Sequence, residues 1–207
     1  MQREQPQQSG TFERLSDMLA GFMRTQALFV ASQLGVPDVV STVPAEVGEI
    51  AVCVGADESS LYRLLRFLAS EGVFAETAPR SFSATPLSDA LRSDKRGCVR
   101  WLAIIRGSEF YRCWVEALQS FRTGEPVFER CTVALFEYLA EHPDRGAVFD
   151  EAMAEKTRER LAALAGYGWS RVERVADIGG GNGTALATVL RGAPHLQGVL
   201  FDLASVV

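Results

Sequence analysis

The sequence predicts a mostly α-helical N-terminal portion built around a winged helix, followed by the first βαβ unit of a doubly wound, Rossmann-like sheet. Three observations predict it. Residues 44–85 read as helix, turn, helix and β-hairpin, in that order. Residues 91–170 carry helical patterns rich in aromatic side chains. At Val172 the pattern changes to strand, glycine loop, helix and strand, the opening of a nucleotide-binding sheet. The domain boundaries expected from these shifts are 11–100, 101–170 and 171–207.

Composition narrows the class. With 207 residues and 47% hydrophobic content, the chain can pack one large core or two small ones. A formal net charge of -5 argues against a polyanionic partner. No stretch reaches the roughly 20 apolar residues of a membrane span. The start, MQREQPQQSG, is polar, has no signal-peptide core and is expected to be a disordered tail. Cys53, Cys98, Cys113 and Cys131 form no CxxC pair, and only His142 and His195 could join a zinc site, so no metal is expected. The four read as free thiols in a reducing cytoplasm.

From Thr11 to Leu34 the chain reads as a helix. Thr11 can cap it, Leu15, Met18, Leu19, Phe22 and Phe29 recur at three- and four-residue steps, and Gly35 with Pro37 closes it. Its face is broad enough to suit a second subunit, although an ordinary core helix has the same period. A short helix is expected over Ala45–Cys53. After the turn Val54-Gly55-Ala56, Asp57 caps a second helix with Leu61, Leu64, Leu65 and Leu68 on one face. Gly72 ends it, and Val73–Ala75 and Phe82–Ala84 flank a turn over Ala78-Pro79-Arg80-Ser81.

A winged helix invites a DNA-binding reading, and charge decides against it. Between Ser41 and Ala90, seven acids face three bases, Arg63, Arg66 and Arg80. Asp57 and Glu58 occupy the helix end that would enter a groove. Duplex binding rests on cationic contacts to phosphates, so a packing module is expected and no nucleic-acid partner.

Helices are then expected near Cys98–Arg106, Glu109–Phe121, Val133–Glu141 and Arg145–Ala165, broken at Gly107, Gly124, Pro126, Pro143 and Gly166. Beyond them, Val172–Ile178 reads as a buried strand, Thr184–Leu190 as a helix and Gly198–Phe201 as a second strand ending in Asp202. The intervening loop is Gly179-Gly180-Gly181-Asn182-Gly183. A dinucleotide fingerprint wants G-x-G-x-x-G so that a pyrophosphate can sit on the helix N-terminus. Thr184 stands where its third glycine would be. The pattern Asp177-x-Gly179-x-Gly181-x-Gly183 is instead the glycine signature of class I methyltransferases, whose cofactor S-adenosyl-L-methionine has no phosphate. Asp202, 23 residues after Gly179, ends a strand where a carboxylate can accept hydrogen bonds from ribose hydroxyls.

Five stretches extend the match: Leu64–Phe74, Ala84–Ser88, Phe149–Met153, Val175–Gly183 and Gly198–Leu203. From about Leu28 onward the sequence resembles the plant-type (caffeic acid/hydroxyindole-like) O-methyltransferase family, in particular its bacterial natural-product branch. The resemblance implies S-adenosyl-L-methionine-dependent methylation of a hydroxyl on a small aromatic or polyketide-type metabolite. It implies a dimer in which the winged helix and neighbouring helices intertwine. By position, Gly179, Gly180, Gly181 and Gly183 would form the cofactor loop, Asp177 would support it and Asp202 would hold the ribose. Phe149 and Met153 would line the pocket and Trp114 would wall the substrate, although helix packing accounts equally well for these three.

The resemblance also implies an adenosine-contacting acid and a histidine base beyond Val207. No catalytic residue is therefore expected within this chain, and the portion reads as an incomplete copy with little activity alone. The alternative of another class is a non-catalytic dimerisation partner, or truncated paralogue, that contributes a pocket wall to a complete paralogue; the expected partner is accordingly a second copy or a complete paralogue. A winged-helix regulator is the third reading.

Overall fold

In the computed structural model, which describes residues 7–95, 98–126, 135–158, 161–204 and 206, the first element is helix α1, Gln7–Leu34. It begins four residues before Thr11, so part of the expected tail is helical. Gln7 and Gln8 suit a helix, and the single unfavourable residue, Gly10, costs only about 1 kcal/mol within a helix of 28 residues. Phe12, Leu15, Met18, Leu19 and Phe22 are 54% to 76% exposed, whereas Ala27 and Ala31 are buried. The chain divides into two units, Met1–Arg92 and Ser93–Val207.

In the first unit, Gly35 at φ 75° ends α1, and Pro37 lies within the single-turn helix α2, Val36–Val39. The expected helix from Ala45 starts at Val47 instead. Ala45 and Glu46 form a two-residue strand, β1, because β3 takes their backbone groups (Ala45 opposite Phe82, Glu46 opposite Ser81). Helix α3, Val47–Val54, closes on Gly55 in the left-handed region. Asp57 caps helix α4, Glu58–Ser70, by accepting from the Ser60 N–H at 2.8 Å. That backbone bond holds the Asp57 carboxyl below its ordinary range. Leu61, Leu65 and Leu68 are fully buried, while Leu64 is half-buried at the side of the stripe.

Strands β2, Phe74–Ala78, and β3, Ser81–Ala84, are antiparallel, and the sheet order is β1-β3-β2. The turn is two residues, Pro79-Arg80, shorter than expected, with a register irregularity between Glu76 and Ala78. Arg80 adopts φ 66°, unusual for a side-chain-bearing residue. Its amide donates to Glu76 Oε1 at 3.1 Å, its guanidinium pairs with Glu58, and it lies 4.5 Å from the Tyr62 ring centre. Phe74, Phe82, Ile50 and the α4 leucines make the core.

The second unit opens with helices α6, Arg100–Gly107, α7, Glu109–Val115, and α8, Ala117–Thr123; the short α5, Pro86–Asp89, belongs to the first unit. The single helix expected over Glu109–Phe121 breaks at Glu116. Within the stretch expected as a helix from Arg145 to Ala165, the described residues are helical over Pro143–Arg158 and Leu161–Ala165; the start lies two residues earlier because proline is accepted at a first turn, where its missing N–H has no partner to lose. The Leu135–Glu141 helix precedes them. Cys131, Phe128 and the expected start at Val133 lie outside the described residues.

The Pro143–Arg158 helix packs on α6. Arg145 anchors it by donating to both carboxylate oxygens of buried Glu109 (2.6 Å from Nη2 to Oε2) and to Ser108 Oγ at 2.8 Å. Burial alone would push the Glu109 carboxyl up, but the Arg145 and Ser108 hydrogen bonds outweigh it and hold it below the ordinary range.

Strands β4, Arg174–Ile178, and β5, Gln197–Phe201, lie parallel with Asp177 opposite Leu200, and the Thr184–Gly192 helix runs between them in sequence. Val189, Ala193 and Leu196 pack with Leu164, Trp169, Val172, Val175 and Leu190. Leu200 and Asp177 are half-buried, whereas Ile178, Val199 and Phe201 are bare, at 71%, 58% and 63% exposed. No helix among the described residues is long and apolar enough to cross a membrane.

Candidate cofactor and substrate site

The loop after β4 is shaped by three glycines in the left-handed region: Gly179 at φ 71°, Gly181 at 57° and Gly183 at 76°. They are not equivalent to Gly180. A Cβ at Gly180 would stand 2.5 Å from Leu200 Cδ1 and 2.6 Å from Asp177 Cγ, so only glycine lets the loop close on its own strands. A Cβ at Gly179 or Gly181 would meet nothing within 4 Å. That open backbone faces a cavity of about 690 Å³, within the span of small-molecule sites.

The loop is tied to both strands. The Gly179 N–H donates to the Phe201 carbonyl at 2.8 Å, and the Gly181 N–H donates to Asp202 Oδ2 at 2.6 Å. Asp202 Oδ1 accepts from the Leu203 N–H at 2.7 Å. Each carboxylate oxygen keeps lone-pair capacity for a further donor. Asn182 Oδ1 accepts from the Thr184 backbone and hydroxyl, starting the helix after the loop. Asp177 Oδ2 is buried without a hydrogen-bond partner among the described residues and lies beneath Gly180.

The opposite wall comes from the Pro143–Arg158 helix. Phe149, Asp150, Met153 and Thr157 line the same cavity as Gly179, Gly180, Gly181 and Asp202. Phe149 meets Phe136 edge-on, with centroids 6.0 Å apart. The structure thus brings together the loop, Asp202, Phe149 and Met153. Gly183 and Asp177 stand behind the lining rather than in it, and Trp114, 73% exposed on α7, is absent from it. Neither His142 nor His195 lines the cavity. His142 Nδ1 lies 2.9 Å from the Tyr138 carbonyl and His195 Nε2 3.2 Å from that of Trp169. Among the described residues no cluster could hold a metal ion.

Sequence reasoning missed Asp150. Burial, then the charges of Asp202 and Glu151, push its carboxyl above the ordinary range. The sequence alone shows only that Asp150, Met153 and Thr157 share one helix face at i, i+3 and i+7; the meeting with Asp202 comes from the fold.

The model for the O-methyltransferase dimerisation domain matches residues 16–94, and that for the O-methyltransferase domain matches residues 114–207. The phenazine O-methyltransferase PhzM of Lysobacter antibioticus is 42% identical over 190 residues, 91% of this chain and 56% of that protein. The crystal structure of LaPhzM superposes with a TM-score of 0.91 at 40% identity, covering 95% of this chain and 60% of that one. NcsB1, an O-methyltransferase from neocarzinostatin biosynthesis, was solved with S-adenosylmethionine and 2-hydroxy-5-methyl naphthoic acid. It is 29% identical, with a TM-score of 0.75 over 88% of this chain and 57% of its own. The chain spans little more than half the length of these relatives. With a helical dimerisation domain followed by a methyltransferase domain, the chain belongs to the plant-type O-methyltransferase family, among its bacterial natural-product members.

Proposed function

We propose that this chain forms the cofactor-binding part of an S-adenosyl-L-methionine-dependent O-methyltransferase that acts on a hydroxyl of a small aromatic or polyketide-type metabolite. One observation carries the reading: an open glycine backbone and a strand-end carboxylate, Asp202, face an apolar wall of Phe149 and Met153 across one cavity. The residues present fit the cofactor. Gly179 and Gly181 leave their backbone bare, so a ligand can approach it closely, and Asp202 can accept from ribose hydroxyls while keeping its bond to Gly181. When bound, S-adenosyl-L-methionine supplies an activated methyl group. The chain's part is to hold donor and acceptor together, since fixing two reactants removes much of the entropic barrier of their encounter. Phe149 and Met153 would present a water-poor surface to a flat aromatic acceptor.

Residues 11–100 are read as a winged-helix dimerisation domain, 101–170 as connector and pocket helices and 171–207 as the opening of a Rossmann-like sheet. The bare face of α1 and the dimerisation-domain match both support self-association, with a heterodimer as the variant reading. The excess of acids around α3 and α4 supports a packing role without nucleic acid.

Calorimetric titration of the full-length protein with S-adenosyl-L-methionine tests the site. Asp202→Ala should weaken binding roughly 10- to 100-fold through the loss of charge-assisted hydrogen bonds. Gly181→Val should do at least as much harm, because a branched side chain resists φ 57° and fills the open approach. Unchanged affinity in Asp202→Ala would overturn the assignment.

A further inference from the structure

We propose that Asp150 is a specificity-determining residue that selects the sulfonium-bearing cofactor over its neutral, demethylated product. This rests on the S-adenosyl-L-methionine reading of the cavity. Asp150 lies on the Pro143–Arg158 helix and lines the cavity together with Gly181 and Asp202. It is half-buried, and no hydrogen bond from a described residue reaches its carboxylate. Two carboxylates from different elements therefore face one cavity. Asp202 has backbone N–H groups to satisfy it, and Asp150 has none among the described residues.

A half-buried carboxylate beside a second one is held at a cost, since burial disfavours the charge and the neighbour repels it. The upward push on the Asp150 carboxyl shows both effects, with burial the larger. The cost is relieved when a cation enters, because attraction between opposite charges strengthens as water is excluded. The intact cofactor and its product carry the same amino-acid and nucleoside groups. They differ by one methyl and by the positive charge on sulfur. Asp202, read as a ribose ligand, would serve both equally. Asp150 has no such neutral task, so its negative charge falls on the difference between them and would help the spent cofactor leave.

The test is paired calorimetric titration of the full-length protein and its Asp150→Asn variant with S-adenosylmethionine and S-adenosylhomocysteine. Asparagine keeps the shape and removes the charge. The expected result is a loss of roughly 5- to 30-fold in affinity for S-adenosylmethionine, with S-adenosylhomocysteine changed less than about threefold. Glu151→Gln, one position along on the exposed side, controls for charge at a distance and should leave the ratio of the two affinities unaltered. Equal losses for both ligands, or no loss for either, would overturn the proposal. If the unaltered protein bound neither ligand, the cofactor reading itself would fall, a distinct result.

Discussion

The two β-sheets of this chain are built from similarly apolar strands and end in different states. In β1-β3-β2, Phe74 and Phe82 are 1% and 0% exposed, because α3 and α4 close over the sheet. In the β4-β5 pair, Val199 and Phe201 stay more than half exposed, and only the Thr184–Gly192 helix and its neighbours cover a face. Strand propensity is much the same in both. What differs is the number of layers: a parallel sheet is stable when both faces are covered, whereas a short antiparallel sheet can rest on one. The first unit therefore owns a covered core, and the second has a cavity beside a strand pair with bare side chains.

The contrast can be tested by mutation, because all three tryptophans, Trp101, Trp114 and Trp169, lie in the second unit. Tryptophan emission reports that unit, and far-ultraviolet circular dichroism reports both. The largest effect should come from Phe82→Ala, at about 3 to 5 kcal/mol for a fully buried aromatic. It should lower the dichroism midpoint and spare the emission midpoint. An equal fall in both would show that the units melt as one and break the comparison.

Arg145→Met should come next, at about 2 kcal/mol, since it strands a buried carboxylate while the guanidinium it replaces was partly solvated. Here emission should move first. The same pair predicts a pH dependence. The Glu109 carboxyl is depressed in the fold, so its contribution is complete above the unfolded carboxylate pKa and is lost as pH falls through the folded value. An acid titration of emission should show this loss in the parent and a flatter profile in Arg145→Met. Phe201→Ser should be smallest, within about 0.5 kcal/mol, as expected for an exposed position. A large fall in thermal midpoint would mean that Phe201 is covered in solution.

How much of this was legible in the sequence follows the same division. The α4 helix was readable from Asp57 and the leucine spacing because its cap and buried stripe are local properties. The glycine loop was readable because left-handed φ and close approach restrict the residue type. The β1 strand was not, since Ala45 and Glu46 become a strand only through pairing with Phe82 and Ser81, nearly forty residues away. Asp150 escaped for a related reason. Its meaning depends on Asp202, which the fold brings to the same cavity, and no local pattern announces that encounter. Trp114 shows the converse, an aromatic singled out by type that the structure leaves at the surface of α7.

The tip of the β2–β3 hairpin has a consequence for what this module can touch. Of the three bases in the acid-rich stretch, Arg80 is already engaged by Glu58 and Tyr62, and Arg66 lies 3.7 Å from Glu76. Both guanidinium groups face a neighbouring carboxylate at the protein surface. A phosphate arriving at the hairpin would have to compete with a carboxylate for each guanidinium. It would also release Glu58 and Glu76 as bare repelling charges if it succeeded. Arg80 on the hairpin and Arg66 on α4 therefore act as fasteners between strand and helix, each matched to a carboxylate across that junction.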